Sequence, residues 1–124
     1  MKKNDKGFID IEIKQLINWN GPSGCLASNK ITKDGWKVGY MYREEPDEGV
    51  PDSGWRFMKG DESEEYNNDS NNVNVFDLNT ICNYDPDIIK YLEYPIGTAL
   101  IRISRNEFEI DKQDKEIFME MQNI

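Results

Sequence analysis

Histidine is absent from this sequence of 124 residues. Its absence excludes catalytic sites that depend on an imidazole, such as Ser-His-Asp and Cys-His arrangements, and it excludes histidine-ligated metal sites. Long apolar runs are absent too. No stretch approaches the ~18 apolar residues of a membrane-spanning helix, and the basic N-terminus is not followed by the ~7–15 apolar residues of a signal peptide. We therefore expect a cytoplasmic protein that does not contact membranes.

Cysteine and positive charge are both scarce. Cys25 and Cys82 are the two cysteines, and in a reducing cytoplasm we expect both to be free and buried. Two isolated thiols are too few for a zinc site, and no glycine-rich phosphate-binding loop is present, so we predict no metal and no cofactor. The chain has 15 basic and 24 acidic residues, which gives a net charge of −9. This charge disfavours nucleic acid as a direct partner.

Apolar residues that alternate with polar ones predict several strands. Ile9, Ile11 and Ile13 alternate with charged residues, which predicts a strand over residues 8–14. The alternation that begins at Trp36 predicts a strand over residues 36–43, and residues 53–58 look like its antiparallel partner. The acidic segment between them contains two prolines and a glycine, so it should form a long loop. Shorter strands are expected at residues 25–28, 73–76 and 98–103.

Helix starts are indicated by aspartates. Asp77 can cap a short helix that runs to about residue 83, and Asp85 followed by Pro86 is a second helix start. Four apolar residues between 110 and 124 share one helical face, which predicts a C-terminal helix at about residues 111–122. Together these elements predict an α+β fold: a single small domain, residues 1–124, with an antiparallel or mixed sheet covered by two or three short helices.

Acidic residues are concentrated in the middle of the chain, because residues 44–69 hold ten acids and two bases. Within this stretch a cluster follows the second hairpin strand: Asp61, Glu62, Glu64 and Glu65. It is open to three interpretations: a solvated helix start or loop, an anionic patch for a basic partner, or a divalent-cation site.

Aromatic residues crowd the predicted hairpin: Trp36, Tyr40, Tyr42, Trp55 and Phe57. They are either sheet core or a recognition face. Arg43 and Arg56 lie in the same strands, where they either pair with local acids such as Glu44 and Asp61 or anchor a partner carboxylate.

Two asparagines, Asn79 and Asn83, share one face of the first predicted helix. With Tyr84 they either cap local backbone or form a polar contact surface.

Four motifs resemble a known bacterial family. They are residues 35–46 (GWKVGYMYREEP), residues 52–57 with 60–62 (DSGWRF and GDE), residues 79–89 (NTICNYDPDII) and residues 95–99 (PIGTA). The family was first catalogued as a domain of unknown function and was later assigned as immunity protein family thirty-three of polymorphic toxin systems. The resemblance covers about residues 24–103 and leaves out both ends of the chain.

The resemblance implies an α+β fold and a cytoplasmic antidote that is encoded beside a toxin and that binds and blocks the cognate toxin domain. It names no catalytic residue, so we expect a protein that is not an enzyme. The excess of acid fits a basic cleft, such as that of a toxin that attacks nucleic acid. The surface predicted to contact the toxin comprises Trp36, Tyr42, Arg43, Glu44, Glu45, Trp55, Arg56, Asp61, Glu62, Glu64 and Glu65.

Two other functions remain open at this point. The chain can be a small enzyme that uses carboxylates or a bound metal, or an intracellular protein-interaction module with no toxin partner. The oligomeric state also remains open between monomer and dimer, because strand edges of a small sheet permit pairing without requiring it.

Overall fold

A six-stranded mixed sheet organises the protein in a computed structural model that describes residues 2–111. The strands are β1 (Gly24–Ser28), β2 (Tyr40–Arg43), β3 (Asp52–Met58), β4 (Val73–Asp77), β5 (Ala99–Arg102) and β6 (Phe108–Ile110). Their order across the sheet is β4-β1-β3-β2-β5-β6. β1 and β3 run parallel, and the other neighbouring strands run antiparallel. The predicted α+β class is confirmed.

Four short helices connect the strands: α1 (Asn29–Thr32), α2 (Glu64–Asn68), α3 (Leu78–Tyr84) and a 3₁₀ helix, η1 (Pro86–Tyr91). The predicted helix starts are confirmed. Asp77 accepts a hydrogen bond from the backbone N–H of Asn79 at 3.1 Å, and Asp85 accepts one from Asp87 at 3.0 Å. Each carboxylate thus satisfies an N–H group that the helix itself leaves without a partner.

One face of the sheet carries the hydrophobic core. Successive side chains of a strand point to opposite faces, so Trp55 and Phe57 of β3 lie on the same side, where their rings stack at a centroid distance of 6.0 Å. Fully buried residues of α1, α3 and η1 belong to the same cluster, including Ile31, Ile81 and Ile88. The other face of the sheet keeps exposed aliphatic side chains, above all Val75, which is 75% exposed.

The predicted N-terminal strand over residues 8–14 is wrong. Ile9 forms an isolated bridge to Lys3 and donates its N–H to the Thr32 carbonyl at 2.8 Å, and Ile13 lies at the surface. From Lys14 to Ile17 the backbone is held by amide side chains of α3. Asn79 accepts hydrogen bonds from the N–H groups of Leu16 and Ile17 and donates to the Lys14 carbonyl, 62 to 65 positions away.

The second α3 asparagine works in the same way. Asn83 accepts from the N–H of Lys14 and donates to its carbonyl, at 3.0 and 2.8 Å. The Tyr84 hydroxyl donates to the carbonyl of Ile9 at 2.7 Å. These three residues therefore bind the backbone of the N-terminal segment. Asn83 also donates to the Asn79 carbonyl of its own helix at 2.8 Å, which is the local backbone bonding that was one of the two interpretations.

The strand predicted from Trp36 begins four residues later, at Tyr40. Val38 is fully buried, but its N–H donates to the Asp85 carboxylate and its carbonyl accepts from Arg102, so its backbone is bonded to side chains rather than to a neighbouring strand. Strand β6 was not predicted. The predicted C-terminal helix falls almost entirely outside the described residues. Among residues 2–111 no helix has the length and apolarity to cross a membrane.

Candidate functional site

The acidic loop over residues 44–51 is tied to the sheet by a buried arginine. Arg56 is 2% exposed, and its guanidinium contacts both oxygens of Asp52 at 2.9 and 2.7 Å. Its Nε donates to Glu44 at 2.7 Å, and Asp47 lies 4.0 Å from its Nη2. Of the two interpretations that the sequence left open for Arg56, the structure shows pairing with local acids, Glu44 among them. The hydrogen bonds from Arg56 hold the pKa of Asp52 well below its usual range.

A bulge in β3 brings Asp52 within reach of Arg56. Gly24 and Leu26 are two apart on β1 but pair with Asp52 and Arg56, which are four apart on β3. The extra residues are accommodated at Gly54, whose φ of +90° is rarely adopted by residues with a side chain. A Cβ atom at Gly54 would lie 2.2 Å from the Glu44 carbonyl oxygen. The bulge therefore sets both the ion pair and the close packing of the acidic loop.

The second acidic cluster, at the other end of β3, is partly structural. Asp61 bridges Lys59 at 2.7 Å and Lys30 at 3.0 Å, and hydrogen bonds from these two ammonium groups lower its pKa to about 2. Burial favours a raised pKa for Glu62, but hydrogen bonds from the Ser28 hydroxyl and from backbone N–H groups outweigh it and lower the pKa. Glu62 accepts from the N–H groups of Lys59 and Gly60 and so closes the turn.

Two of the predicted contact residues, Trp55 and Arg43, are bonded within the fold. Trp55 is fully buried and its Nε1 donates to the Leu92 carbonyl, so its side chain has no surface to offer a partner. Arg43 is half-buried, donates to the carbonyls of Ser53 and Tyr94, and lies 5.9 Å from the Trp55 ring. Both therefore support the fold.

The remaining aromatics lie nearer the surface. Trp36 is 56% exposed, with the Lys59 ammonium 4.0 Å from its ring centroid. Tyr42 is half-buried and lies opposite Arg56 in the β2–β3 register, so it shares the sheet face opposite the core. Burial raises its pKa above the ordinary value. The five hairpin aromatics thus divide between the two faces of the sheet and the loop that precedes β2.

The exposed acids do not form one surface. Glu44 and Glu45 are exposed in the loop before β3, whereas Glu64 and Glu65 are exposed in the first turn of α2, after the end of β3. A negative charge in the first turn favours the helix itself, because it lies near the positive end of the helix dipole. The structure brings Tyr42, Glu44 and Arg56 together at one end of β3 and leaves Trp36 and the Asp61 cluster at the other.

A cleft of about 380 Å³ opens between the acidic loop and the sheet. Its lining includes the apolar residues Leu26, Val50, Pro51 and Val75 and the charged residues Asp47, Asp52 and Arg56. Val50 and Val75 are not among the predicted contact residues. The signal that points to Val75 is its alternation with Val73 in a strand, and Val50 lies in a proline- and glycine-bounded loop that gives no such pattern.

The two cysteine thiols are candidate nucleophiles, and the cysteine and acidic side chains are candidate metal ligands. Cys25 and Cys82 are free and buried, as predicted, and burial raises the pKa of both thiols, that of Cys82 to about 12. Among residues 2–111, no three acidic or cysteine side chains are grouped as a metal ion requires.

The fold and the site define a small α+β protein whose exposed acids flank both ends of a central strand and whose sheet keeps one face with exposed aliphatic residues. Comparison with protein families makes the assignment more specific. The model described as the immunity protein Imm33 domain matches residues 25–112, and the chain therefore belongs to the Imm33 immunity protein family. The match extends beyond the resemblance seen in the sequence and includes β6. No curated protein and no solved structure matches the chain.

Proposed function

We propose that this chain is a cytoplasmic antidote that binds the toxin domain of a polymorphic toxin system and blocks it without catalysis. Membership of the Imm33 immunity family carries the proposal, because the match covers nearly all of the sheet. An immunity protein implies a protein partner, and the acidic loop before β3 gives this chain a surface suited to a basic one. The partner is proposed to be a toxin domain with a basic cleft.

The exposed carboxylates support an electrostatic contribution to binding. Arg56 and the two lysines at Asp61 engage some acids of residues 44–69, but Glu45 and Glu48 are exposed and have no ion pair among the described residues. Unpaired charges at the rim of an interface act mainly on the association rate and on the choice of partner. We therefore propose that the loop accelerates encounter and that apolar contacts hold the complex.

A titration separates a binder from an enzyme. Adding increasing amounts of this chain to a fixed concentration of the toxin domain encoded by the adjacent gene, well above the Kd, should end the toxin's activity at one equivalent. A stoichiometric inhibitor must occupy each toxin molecule, whereas an enzyme that modifies the toxin or its product turns over. Complete loss of activity at about 0.01 equivalents would refute non-catalytic blocking.

Salt dependence tests the electrostatic part. Raising NaCl from about 0.05 M to about 0.5 M should lower the association rate constant by about tenfold or more and change the dissociation rate little. The double substitution Glu45→Gln and Glu48→Gln should reduce both the rate and its salt dependence. Glu107→Gln with Glu109→Gln is the matched control, since both residues are exposed at the β6 edge. An association rate constant that does not respond to salt would rule out charge steering.

A further inference from the structure

The cleft between the acidic loop and β4 places exposed aliphatic residues next to a strongly acidic loop. Val50 and Val75 are 57% and 75% exposed, and both line the same opening with Leu26. The neighbouring loop carries four carboxylates and no base between residues 44 and 48. Exposed aliphatic residues beside a strong charge of one sign are typical of sites that bind a segment of matching chemistry.

The cleft is formed before any partner arrives, because its loop is fixed at three places. The Pro51 carbonyl accepts a 2.7 Å hydrogen bond from Gly24, and the N–H of Asp47 donates to Asp52 at 2.8 Å. The Arg56–Glu44 ion pair provides the third attachment. A preformed site requires little ordering of the loop on binding, which favours affinity.

The charges near the cleft determine which ligands suit it. Within residues 2–111, Arg56 is the one cation that lines it, and that guanidinium is already bonded to Asp52 and Glu44, so it is not available to a ligand carboxylate or phosphate. The exposed carboxylate of Asp47 lines the cleft, and Glu48 follows it in the loop and is exposed as well. A ligand that carries a cation next to an apolar group would therefore pair with the acidic loop and pack against the apolar walls of the cleft. Nucleic acid and anionic lipid would be repelled by the carboxylates. A second copy of this chain brings the same excess of acid.

We propose that this cleft binds a peptide segment of a protein partner in which an aliphatic side chain is flanked by lysine or arginine. The aliphatic side chain lies between Val50, Leu26 and Val75, and its basic neighbours face Asp47, which lines the cleft, and the adjacent Glu48. The identification of that partner as the toxin rests on the proposed function, but the chemistry of the cleft does not. If the partner is the toxin, this segment would make the apolar contacts with the cleft that hold the complex together.

The first test needs no toxin. A random heptapeptide library displayed on phage is panned against the purified full chain, and selected peptides are remade and titrated. We expect an aliphatic residue beside Lys or Arg in the selected sequences, and amide NMR shifts at Gly24, Val50 and Val75. Selected peptides without that pairing, peptides that shift other amides, or the absence of any binding peptide would overturn the proposal.

A pair of matched variants sharpens the result. Val75→Asp adds a negative charge, which alone would attract a basic peptide, but it removes the apolar wall, so peptide affinity should fall by about tenfold or more. Ile103→Asp is the control: Ile103 is 53% exposed after β5, at the far side of the sheet, and its variant should bind within about twofold of wild type. Both substitutions are at the surface, so both variants should fold. Equal affinities of the two variants would contradict the proposal.

Two further readouts separate the possible occupants. Sedimentation of wild type and Val75→Asp at high concentration should show the same species, and a dimer lost in Val75→Asp would assign the cleft to a second copy instead. Binding of the adjacent-gene toxin domain should weaken at least about tenfold in Val75→Asp. If wild type does not bind that domain, the immunity proposal fails while the peptide result still decides the cleft. If Val75→Asp binds it normally, docking through the cleft is refuted.

Discussion

Replacing Trp55 with alanine is expected to lower the free energy of unfolding by about 3–5 kcal/mol. The indole is fully buried, stacks on Phe57 and donates a 3.0 Å hydrogen bond to the Leu92 carbonyl. Its removal leaves a large cavity and a carbonyl without its donor. Urea unfolding followed by circular dichroism measures the change. Small domains have a total free energy of unfolding of only about 5–15 kcal/mol. A Trp55→Ala variant should therefore fail to protect cells from the toxin because much of it is unfolded.

Trp36 is the matched control for this substitution. Its ring is 56% exposed and contacts the Lys59 ammonium, so Trp36→Ala should cost less than about 1 kcal/mol. The contrast distinguishes a core aromatic from a surface aromatic at two positions that have the same residue type. A Trp55→Ala variant as stable as Trp36→Ala would contradict the packing described here.

Replacing Arg56 with glutamine is expected to cost about 3–5 kcal/mol, because it leaves the carboxylate of Asp52 buried without its partner. Asp52 is 8% exposed and receives two hydrogen bonds from Arg56, and Glu44 loses its attachment at the same time. Lys59→Gln removes an exposed ion pair to Asp61 and should cost less than about 1 kcal/mol. Equal losses of unfolding free energy in Arg56→Gln and Lys59→Gln would show that the Arg56–Asp52 ion pair does not behave as a buried one.

The pH dependence of the Arg56 effect has a definite sign. Because the pKa of Asp52 is lower in the folded chain than the ~3.9 of an unfolded aspartate, the pair stabilises the fold fully above pH ~4 and loses its effect as the pH falls further. The difference in unfolding free energy between wild type and Arg56→Gln should therefore be about 1 kcal/mol smaller at pH 3 than at pH 7. A difference that does not change between these pH values would assign the effect to packing alone.

Local patterns predicted the elements whose bonds are local. The aspartate caps of α3 and η1 depend on N–H groups two residues away, so Asp77 and Asp85 could be assigned from sequence. The alternation over residues 8–14 failed because its backbone is bonded to distant groups that are not a neighbouring strand: Ile9 to Thr32 and Tyr84, and Lys14 to Asn79 and Asn83. Period-two alternation does not reveal whether a neighbouring strand is present.

The site shows the same division between local and distant contacts. Pairing of Arg56 with local acids such as Glu44 was one of two interpretations left open by the sequence, but Asp52 was not identified as its main partner. Four residues of extended strand would separate Asp52 from Arg56 by about 13 Å, and only the bulge at Gly54 brings them together. The cleft at Val75 needs the pairing of β4 with β1, which the sequence does not specify.

Co-expression with the adjacent gene tests the proposed function most directly. The C-terminal domain of the protein encoded there is expressed in a test bacterium, alone, with this chain, and with Ile103→Asp as a folded control variant. The account predicts death of cells that express the domain alone, survival with either form of this chain, and a one-to-one complex on purification. A toxic domain that neither binds this chain nor is neutralised by it would contradict the account for that pair.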